Sequence, residues 1–179
     1  MSTKRTHFHE LLHDQIRNEF SAAQQYIAVA TYYDNEDLPQ LAKHFYAQAN
    51  EERNHAMMIT QYFLDRDMPV YTPGIDEPEN NFADFRAPIK LALMQEQRVT
   101  DQIIDLVKAA REEGDYLGEQ FMQWFLKEQR EEVAIMRTLQ TVAQRCEGNL
   151  FDLENFIARE IGTAATVDAT APAVAGGSL

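Results

Sequence analysis

Acidic residues interrupt the apolar stripes of this sequence at positions where a hydrophobic core is expected. Glu19 follows Leu12 by seven residues and precedes Ala23 by four, so a helix would place it on the same face as those apolar residues. Acids are normally kept off that face. The irregularity recurs on three later stripes, at Glu52 with His55, at Glu96, and at Gln129 with Glu132. Each long predicted helix thus carries polar groups into the core near its middle.

Four carboxylates that converge in a core would repel one another, and a buried unpaired carboxylate costs several kcal/mol. Bound cations remove this cost. Four carboxylates, one imidazole and one amide, with no thiolate, suit a hard or borderline metal such as iron or manganese. Glu52 and His55 are spaced i, i+3 and share a helix face. Di-iron bundles combine Glu from two helices with Glu-x-x-His pairs from the others.

Each of these residues also has an ordinary explanation when taken alone. A Glu-x-x-His pair is common on solvated helix faces, and a single acid can reflect an error in the assumed helix phase. The four positions together favour a metal site. We interpret the remaining histidines as surface residues, namely His7, His9, His13 and His44. Tyr26 lies seven residues after Glu19 and is expected on the same face as that acid.

The composition is that of one globular domain with an acidic surface. The chain has 179 residues, 45% of them hydrophobic, and its net charge is −13 because 29 acidic residues outnumber 16 basic ones. Such a surface repels nucleic acid and anionic lipid. The first residues lack a signal-peptide pattern, and no apolar run is long enough for a membrane span. We expect a cytoplasmic protein without nucleic-acid or membrane partners.

Apolar residues recur with helical spacing over most of the chain and predict an all-α fold. The predicted helices span residues 6–34, 38–65, 86–113, 115–146 and 150–161. Asp37 before Pro39 is interpreted as a helix N-cap. Gly114-Asp115 and Gly148-Asn149 each indicate the end of one helix and the cap of the next.

The connection between the second and third helices is long and contains most of the prolines. A helix of roughly 28 residues is about 42 Å long, and about 20 extended residues reach roughly 60 Å. The connection can therefore run the length of a bundle, whereas the short links on either side form antiparallel hairpins. These lengths predict a four-helix bundle with one long crossover plus a short fifth helix. We assign residues 1–161 to this domain and residues 162–179 to a flexible C-terminal tail or a weak strap onto a neighbouring subunit.

The sequence resembles the ferritin superfamily, and within it the bacterial haem-free ferritins, from about residue 8 to residue 161. The resemblance is strongest in Asn18-Glu19-Phe20 through Tyr26, in Glu51-Glu52-Arg53-Asn54-His55-Ala56, in Gln95-Glu96-Gln97, and in residues 125–132. It implies a ferritin-like bundle in which Glu19, Glu52 and His55 hold one iron and Glu52 bridges to a second. The second iron would be held by Glu96 and Glu132, with Gln129 nearby.

The resemblance also implies roles for residues around this centre. Tyr26 and Trp124 would lie beside the two irons. A third, outer iron site would use Glu51, Glu128 and Glu131, for which the ordinary alternative is a solvated acidic face. Haem is not expected, because the fourth helix lacks a second Glu-x-x-His and because Arg53 replaces the methionine of haem-binding relatives.

The function implied by the resemblance is iron storage. Two Fe(II) ions would be oxidised at the di-iron centre by O₂ or H₂O₂, and Fe(III) mineral would collect inside a hollow homo-oligomeric shell of 24 subunits. Two other hypotheses fit the same residues: a di-iron redox enzyme with an organic substrate, and a structural bundle without metal.

Overall fold

The computed structural model describes residues 5–161 and 168–179, so part of the predicted tail, 162–167, lies outside the described residues. The elements are α1 (His7–Asn35), α2 (Pro39–Asp65), α3 (Ala87–Glu112), α4 (Tyr116–Arg145), α5 (Leu150–Phe156) and a π-helical turn (Ile157–Ile161). No strand occurs in the described ranges. The prediction of an all-α chain is confirmed, and both ends of each long helix lie within one residue of the predicted ends.

The four long helices pack as two hairpins, α1 with α2 and α3 with α4, and α1 joins the hairpins by contacting α3. Their apolar side chains form two separate clusters. One cluster includes Leu12, Ile59 and Phe125, and the other includes Phe45 and Leu139. In every long helix, buried polar side chains lie between the residues of one cluster and those of the other. Together these side chains form a polar layer. None of the helices in the described parts of the chain combines the length and the hydrophobicity that a membrane span requires.

The connection between α2 and α3, residues 66–86, runs along α1. Near its start the Tyr71 backbone N–H donates to His13 Nε2 at 3.3 Å. Further along, the Glu79 N–H donates to Gln25 Oε1 at 2.8 Å, and the Gln25 amide donates back to the Glu79 carbonyl at 2.9 Å. The connection therefore advances along α1 from its second turn past its midpoint. This observation confirms the predicted long crossover.

The start of α2 differs from the prediction. Asp37 is not an N-cap: it adopts a left-handed backbone with φ of 55° in the tight turn, and the N-cap is Leu38, which has no capping side chain. The Gln40 and Leu41 N–H groups instead donate to the Glu154 carboxylate of α5, at 2.8 and 3.0 Å. A residue distant in sequence thus satisfies the helix end.

The other two predicted helix boundaries are confirmed. Gly114 has a φ of 71° and ends α3, and Asp115 then caps α4 by accepting a hydrogen bond from its first turn. Gly148 has a φ of 89°, and Asn149 caps α5 in the same way. Both glycines adopt the left-handed backbone that other residues avoid.

Residues 168–179 lie against α2 and α4 of the same chain. The Asp168 carboxylate accepts a hydrogen bond from Trp124 Nε1 at 3.1 Å, and the Ala175 N–H donates to the Met57 carbonyl at 3.2 Å. In the structure this segment therefore packs against the bundle of its own chain. Its flexibility stays a prediction.

Candidate metal centre

The polar layer brings together the six residues predicted to form the inner site. Each is at most 5% exposed. They come from all four long helices: Glu19 on α1, Glu52 and His55 on α2, Glu96 on α3, and Gln129 and Glu132 on α4. The helical phase that made them anomalous in the sequence is what directs them inward between the two apolar clusters.

Glu19, Glu52 and His55 form the tighter half of the centre. Each offers one ligand atom, and these atoms all lie within 4.8 Å of one another. His55 Nδ1 is 3.3 Å from Glu52 Oε2 and 3.9 Å from Glu19 Oε2. Glu19 Oε2 is buried and has no hydrogen-bond partner. An orphaned acceptor beside an imidazole nitrogen and a second carboxylate fits a cation at this point.

Aromatic side chains enclose the imidazole. The Trp124 and Phe125 rings meet His55 edge-on, with ring centroids at 5.6 and 5.7 Å. Trp124 therefore lies beside the centre, as the resemblance implied. These walls restrict the rotation of His55 and exclude water from one side of it.

Glu96 is the hydrogen-bonded carboxylate in the other half of the centre. Its Oε1 accepts a hydrogen bond from the Tyr26 hydroxyl, and its Oε2 accepts one from Gln129 Nε2 at 3.0 Å. Burial, followed by the Glu96 charge, raises the pKa of Tyr26 well above its ordinary value, which keeps the phenol protonated as the donor. Glu132 Oε2 is a second buried carboxylate oxygen without a partner.

The centre is electrostatically unfavourable without a cation. Burial, with the charges of Glu96 and Glu19, raises the pKa of Glu52 well above its ordinary value of 4.5. Burial, with the charges of Glu51 and Glu96, does the same to the pKa of Glu132. These acids therefore keep their protons to a higher pH than exposed carboxyl groups do, and a metal ion would replace those protons as the compensating charge.

The three outer acids lie at the edge of this layer. Glu51 is half-buried and accepts a hydrogen bond from the Gln48 amide, and burial raises its pKa. Glu128 is also half-buried, and its pKa is raised by burial and by the charge of Glu131. Glu131 is exposed and pairs with Arg130 at 3.3 Å. The acids are thus close enough to influence one another, and their role as a third iron site stays a prediction.

Two interpretations from the sequence need correction or addition. His9 and His44 are not surface residues. His9 is 2% exposed, hydrogen-bonds to Thr6 in a capping box, and has its Nε2 3.3 Å from an Asp115 carboxylate oxygen. His44 is half-buried, its Nε2 is buried without a hydrogen-bond partner, and burial lowers its pKa to about 4. Gln15 was missed, although it lies four residues before Glu19 and hence on the same helix face. Its amide donates to Glu19 Oε1 at 2.8 Å. That spacing was the available signal.

Comparison with known proteins agrees with this geometry. Residues 9–146 match the family model described as the ferritin-like domain. The chain belongs to the ferritin family. Ferritin BfrB of Mycolicibacterium smegmatis is 63% identical to it over 174 residues, which cover 97% of this chain and 96% of the relative. A Mycobacterium tuberculosis relative named bacterioferritin BfrB is 60% identical, with 98% and 96% covered.

More distant proteins agree on the fold of this ferritin. A bacterial non-heme ferritin of Staphylococcus aureus is 38% identical over 129 residues, which cover 72% of this chain and 78% of that one. The solved structure of an open pore ferritin from Archaeoglobus fulgidus superposes with a TM-score of 0.84 at 26% identity, covering 89% of this chain and 99% of that chain. The predicted ferritin-like bundle with its crossover and fifth helix is confirmed.

Proposed function

We propose that this ferritin stores iron by oxidising Fe(II) at the polar layer of its bundle. The observation that carries the proposal is the buried set of four carboxylates and one imidazole, in which Glu19 Oε2 and Glu132 Oε2 lack any hydrogen-bond partner. A structural bundle without metal would leave these acceptors unsatisfied. A cation bound beside each of these oxygens would satisfy it.

Two Fe(II) ions are the substrate in this proposal. Glu19, Glu52 and His55 hold the first, and Glu96 and Glu132 hold the second. Glu52 serves as the bridge, because its carboxylate contacts His55 and its pKa responds to the charges of both Glu19 and Glu96. Gln129 has its amide nitrogen on Glu96, which leaves its carbonyl oxygen as the atom that could face a metal.

The redox chemistry balances with O₂ as the oxidant. Each Fe(II) loses one electron, and O₂ takes up two electrons and two protons to form H₂O₂. With H₂O₂ as the oxidant, two electrons and two protons give two waters. Anionic oxygen ligands favour Fe(III), the harder ion, and so promote oxidation. Protons retained by the raised pKa values of Glu52 and Glu132 are released as iron binds.

The oxidised iron is proposed to move to a mineral inside a shell of 24 subunits in the cytoplasm. Support for assembly comes from apolar side chains left exposed on one face: Ile27 of α1, Tyr46 of α2 and Ile75 of the connection. Together with Phe20 and Ala23, they line a groove of about 520 Å³ between α1 and α2. Such a surface fits a contact between copies.

We propose a haem-free protein. The name bacterioferritin, carried by one relative, raises the possibility of haem. Haem bound in the proposed contact between copies would need an iron ligand in the groove between α1 and α2. The described residues that line this groove include Arg53, Asn50 and Gln24, but no methionine, histidine or cysteine that could ligate haem iron.

The deciding experiment is anaerobic addition of two Fe(II) per subunit, followed by oxygen and detection of Fe(III) by absorbance. His55→Ala removes the nitrogen ligand, and Glu52→Ala removes the bridge, so the fast oxidation phase should fall by at least about tenfold in both variants. His7→Ala is the matched control, because His7 is an exposed histidine on α1. It should oxidise iron at the wild-type rate.

Particle size and iron content complete the test. A storage protein elutes as a large shell and retains hundreds of irons after many Fe(II) additions, whereas a bundle enzyme with an organic substrate elutes as a small oligomer and retains only its site metals. Oxidation at the wild-type rate in His55→Ala would contradict the site assignment.

A further inference from the structure

Gln15 donates a hydrogen bond to one oxygen of Glu19 and thereby orients that carboxylate. It is 2% exposed and lies one turn before Glu19 on α1. Its Nε2 donates to Glu19 Oε1 at 2.8 Å, and its own Oε1 accepts from Asn18 Nδ2 at 2.9 Å. A weaker contact of 3.4 Å links Nε2 to Gln102 Oε1. Both polar atoms of the amide are therefore engaged, which fixes its orientation.

The two oxygens of Glu19 consequently differ. Oε1 is occupied by the Gln15 amide, whereas Oε2 is unpartnered and lies 3.9 Å from His55 Nδ1. A carboxylate restrained in this way keeps one orientation, with its unpartnered oxygen toward His55. The restraint operates before any metal arrives.

The donor is a neutral amide, and this choice has a chemical consequence. A lysine or arginine at the same place would pair with Glu19 and cancel the charge that attracts a cation. An amide orients the carboxylate without supplying a competing positive charge. Gln129 makes an equivalent contact with Glu96 Oε2 at 3.0 Å, so both halves of the centre have an amide donor.

We infer that Gln15 is a positioning residue that sets the affinity of the first iron position by holding Glu19 with its unpartnered oxygen toward His55. The inference rests on the proposed function, because it assumes that Glu19 binds metal. Loss of a residue that orients a metal ligand typically costs 10- to 100-fold in metal affinity. The proposal therefore concerns binding before oxidation.

The test is a calorimetric titration of the metal-free, full-length protein with Co²⁺, a redox-stable substitute for Fe(II). Gln15→Met keeps the length of the side chain but removes the donor, and it should weaken the tight site about tenfold. Gln15→Asn keeps an amide that is too short to reach and should give the same loss. Gln95→Met is the matched control, because Gln95 is a buried glutamine beside Glu96 in sequence whose Nε2 contacts no carboxylate. It should bind Co²⁺ as the wild type does.

A double-mutant comparison separates positioning from general packing. If Gln15 acts through Glu19, then Gln15→Met should have no further effect on Co²⁺ affinity in a Glu19→Ala background. A further tenfold loss there would indicate loosened packing and overturn the inference. Unchanged Co²⁺ affinity in both Gln15 variants would also overturn it.

His55→Ala distinguishes this failure from failure of the proposed function. If His55→Ala abolishes the tight Co²⁺ site while the Gln15 variants retain it, the proposed function stands and the inference on Gln15 fails. If His55→Ala binds Co²⁺ as tightly as the wild type, the metal centre itself is wrong.

Discussion

Glu132 illustrates how a residue of the proposed metal centre opposes the stability of the metal-free fold. Burial and the charges of Glu51 and Glu96 raise its pKa well above 4.5. The stability that such a carboxyl contributes is fully present below the ordinary pKa and is lost as the pH rises through the raised value. At neutral pH the metal-free bundle therefore carries an unfavourable group that a bound cation would relieve.

Replacing Glu132 with Gln should stabilise the metal-free protein at neutral pH. The amide keeps the shape of the side chain but never ionises, so the midpoint of thermal unfolding at pH 7.5 should rise by a few degrees. This follows from about 2–4 °C for each kcal/mol in a domain of this size. The gain should shrink as the pH falls toward 4.5. Thermal unfolding followed by circular dichroism measures both.

Glu131→Gln serves as the control, because it removes an exposed acid from the adjacent position on α4. Its midpoint should follow the wild type at every pH. Equal shifts in the two variants would show that net charge, rather than the buried centre, sets the pH dependence.

The outer acids should affect repeated turnover more than the first oxidation. A variant with Glu51, Glu128 and Glu131 replaced by Ala keeps the inner ligands, so it should still bind two irons and oxidise them once. Its iron-to-oxygen stoichiometry or its later turnover should change if these acids form a staging position. Oxygen consumption over successive Fe(II) additions measures this.

A charge-matched control removes three exposed acids of α3, namely Asp101, Asp105 and Glu112. This variant should behave as the wild type does. If the outer-acid variant also keeps wild-type stoichiometry and turnover, the outer acids are an ordinary solvated face.

Helical phase alone predicted the inner residues. Each acid had to lie on an apolar stripe, and the structure places Glu19, Glu52, Glu96 and Glu132 in one buried layer. The partners of those acids could not be predicted in the same way, because a hydrogen bond depends on which side-chain atoms meet. The burial of His9 was missed for the same reason: its contact with Asp115 joins residues that are distant in the chain.

At the scale of elements, α5 supplies a hydrogen-bond acceptor for the first backbone N–H groups of α2. Glu154 is half-buried and accepts the Gln40 and Leu41 N–H groups. Those groups belong to the positive end of the helix that carries Glu52 and His55. A carboxylate at this place both caps the helix and complements its dipole.

Glu154→Ala should destabilise the protein by about 1 kcal/mol, the usual effect of losing a helix cap. Hydrogen exchange at Gln40 and Leu41 should accelerate, because their N–H groups lose their acceptor. The control is Glu160→Ala, which removes an exposed acid from the π-helical turn. Faster exchange at α2 in the control as well would mean that fraying of α5, and not the cap, is responsible.

The helices and the crossover were predictable because periodicity and loop length report on them directly. The start of α2 was not. Asp37 adopts the left-handed backbone of the turn and is not the N-cap, and the residue that accepts the N–H groups is more than a hundred positions away. Local sequence contains no sign of Glu154 at that site.

At the scale of the whole molecule, a polar layer divides the core of the bundle into two apolar clusters. The clusters supply the hydrophobic stabilisation, and the layer contains the residues of the proposed iron site. The number of subunits is a property of contacts between copies. Helical spacing does not report on it, so that expectation came from the resemblance alone.

Acid should remove iron from the proposed shell before that shell dissociates. Protons compete with metal for the carboxylates and the imidazole of the polar layer, whereas contacts between copies at Ile27 and Tyr46 would be largely apolar. Iron content and particle size should be measured together after equilibration at decreasing pH. Iron content should fall at a higher pH than particle size does. Dissociation of the shell before the loss of iron would indicate that the carboxylates serve the assembly.

The position of Trp124 between His55 and Asp168 makes the proposed metal centre accessible to fluorescence measurements. Trp124 is the single tryptophan of the chain, and it touches His55 on one side and Asp168 of the C-terminal segment on the other. Its fluorescence therefore reports two events without any added label. Paramagnetic Co²⁺ at the His55 site would quench the emission, whereas departure of residues 168–179 would expose the indole to water and shift the emission to longer wavelength. Intensity and wavelength together would resolve, in a single stopped-flow trace, whether the segment moves before or after metal arrives.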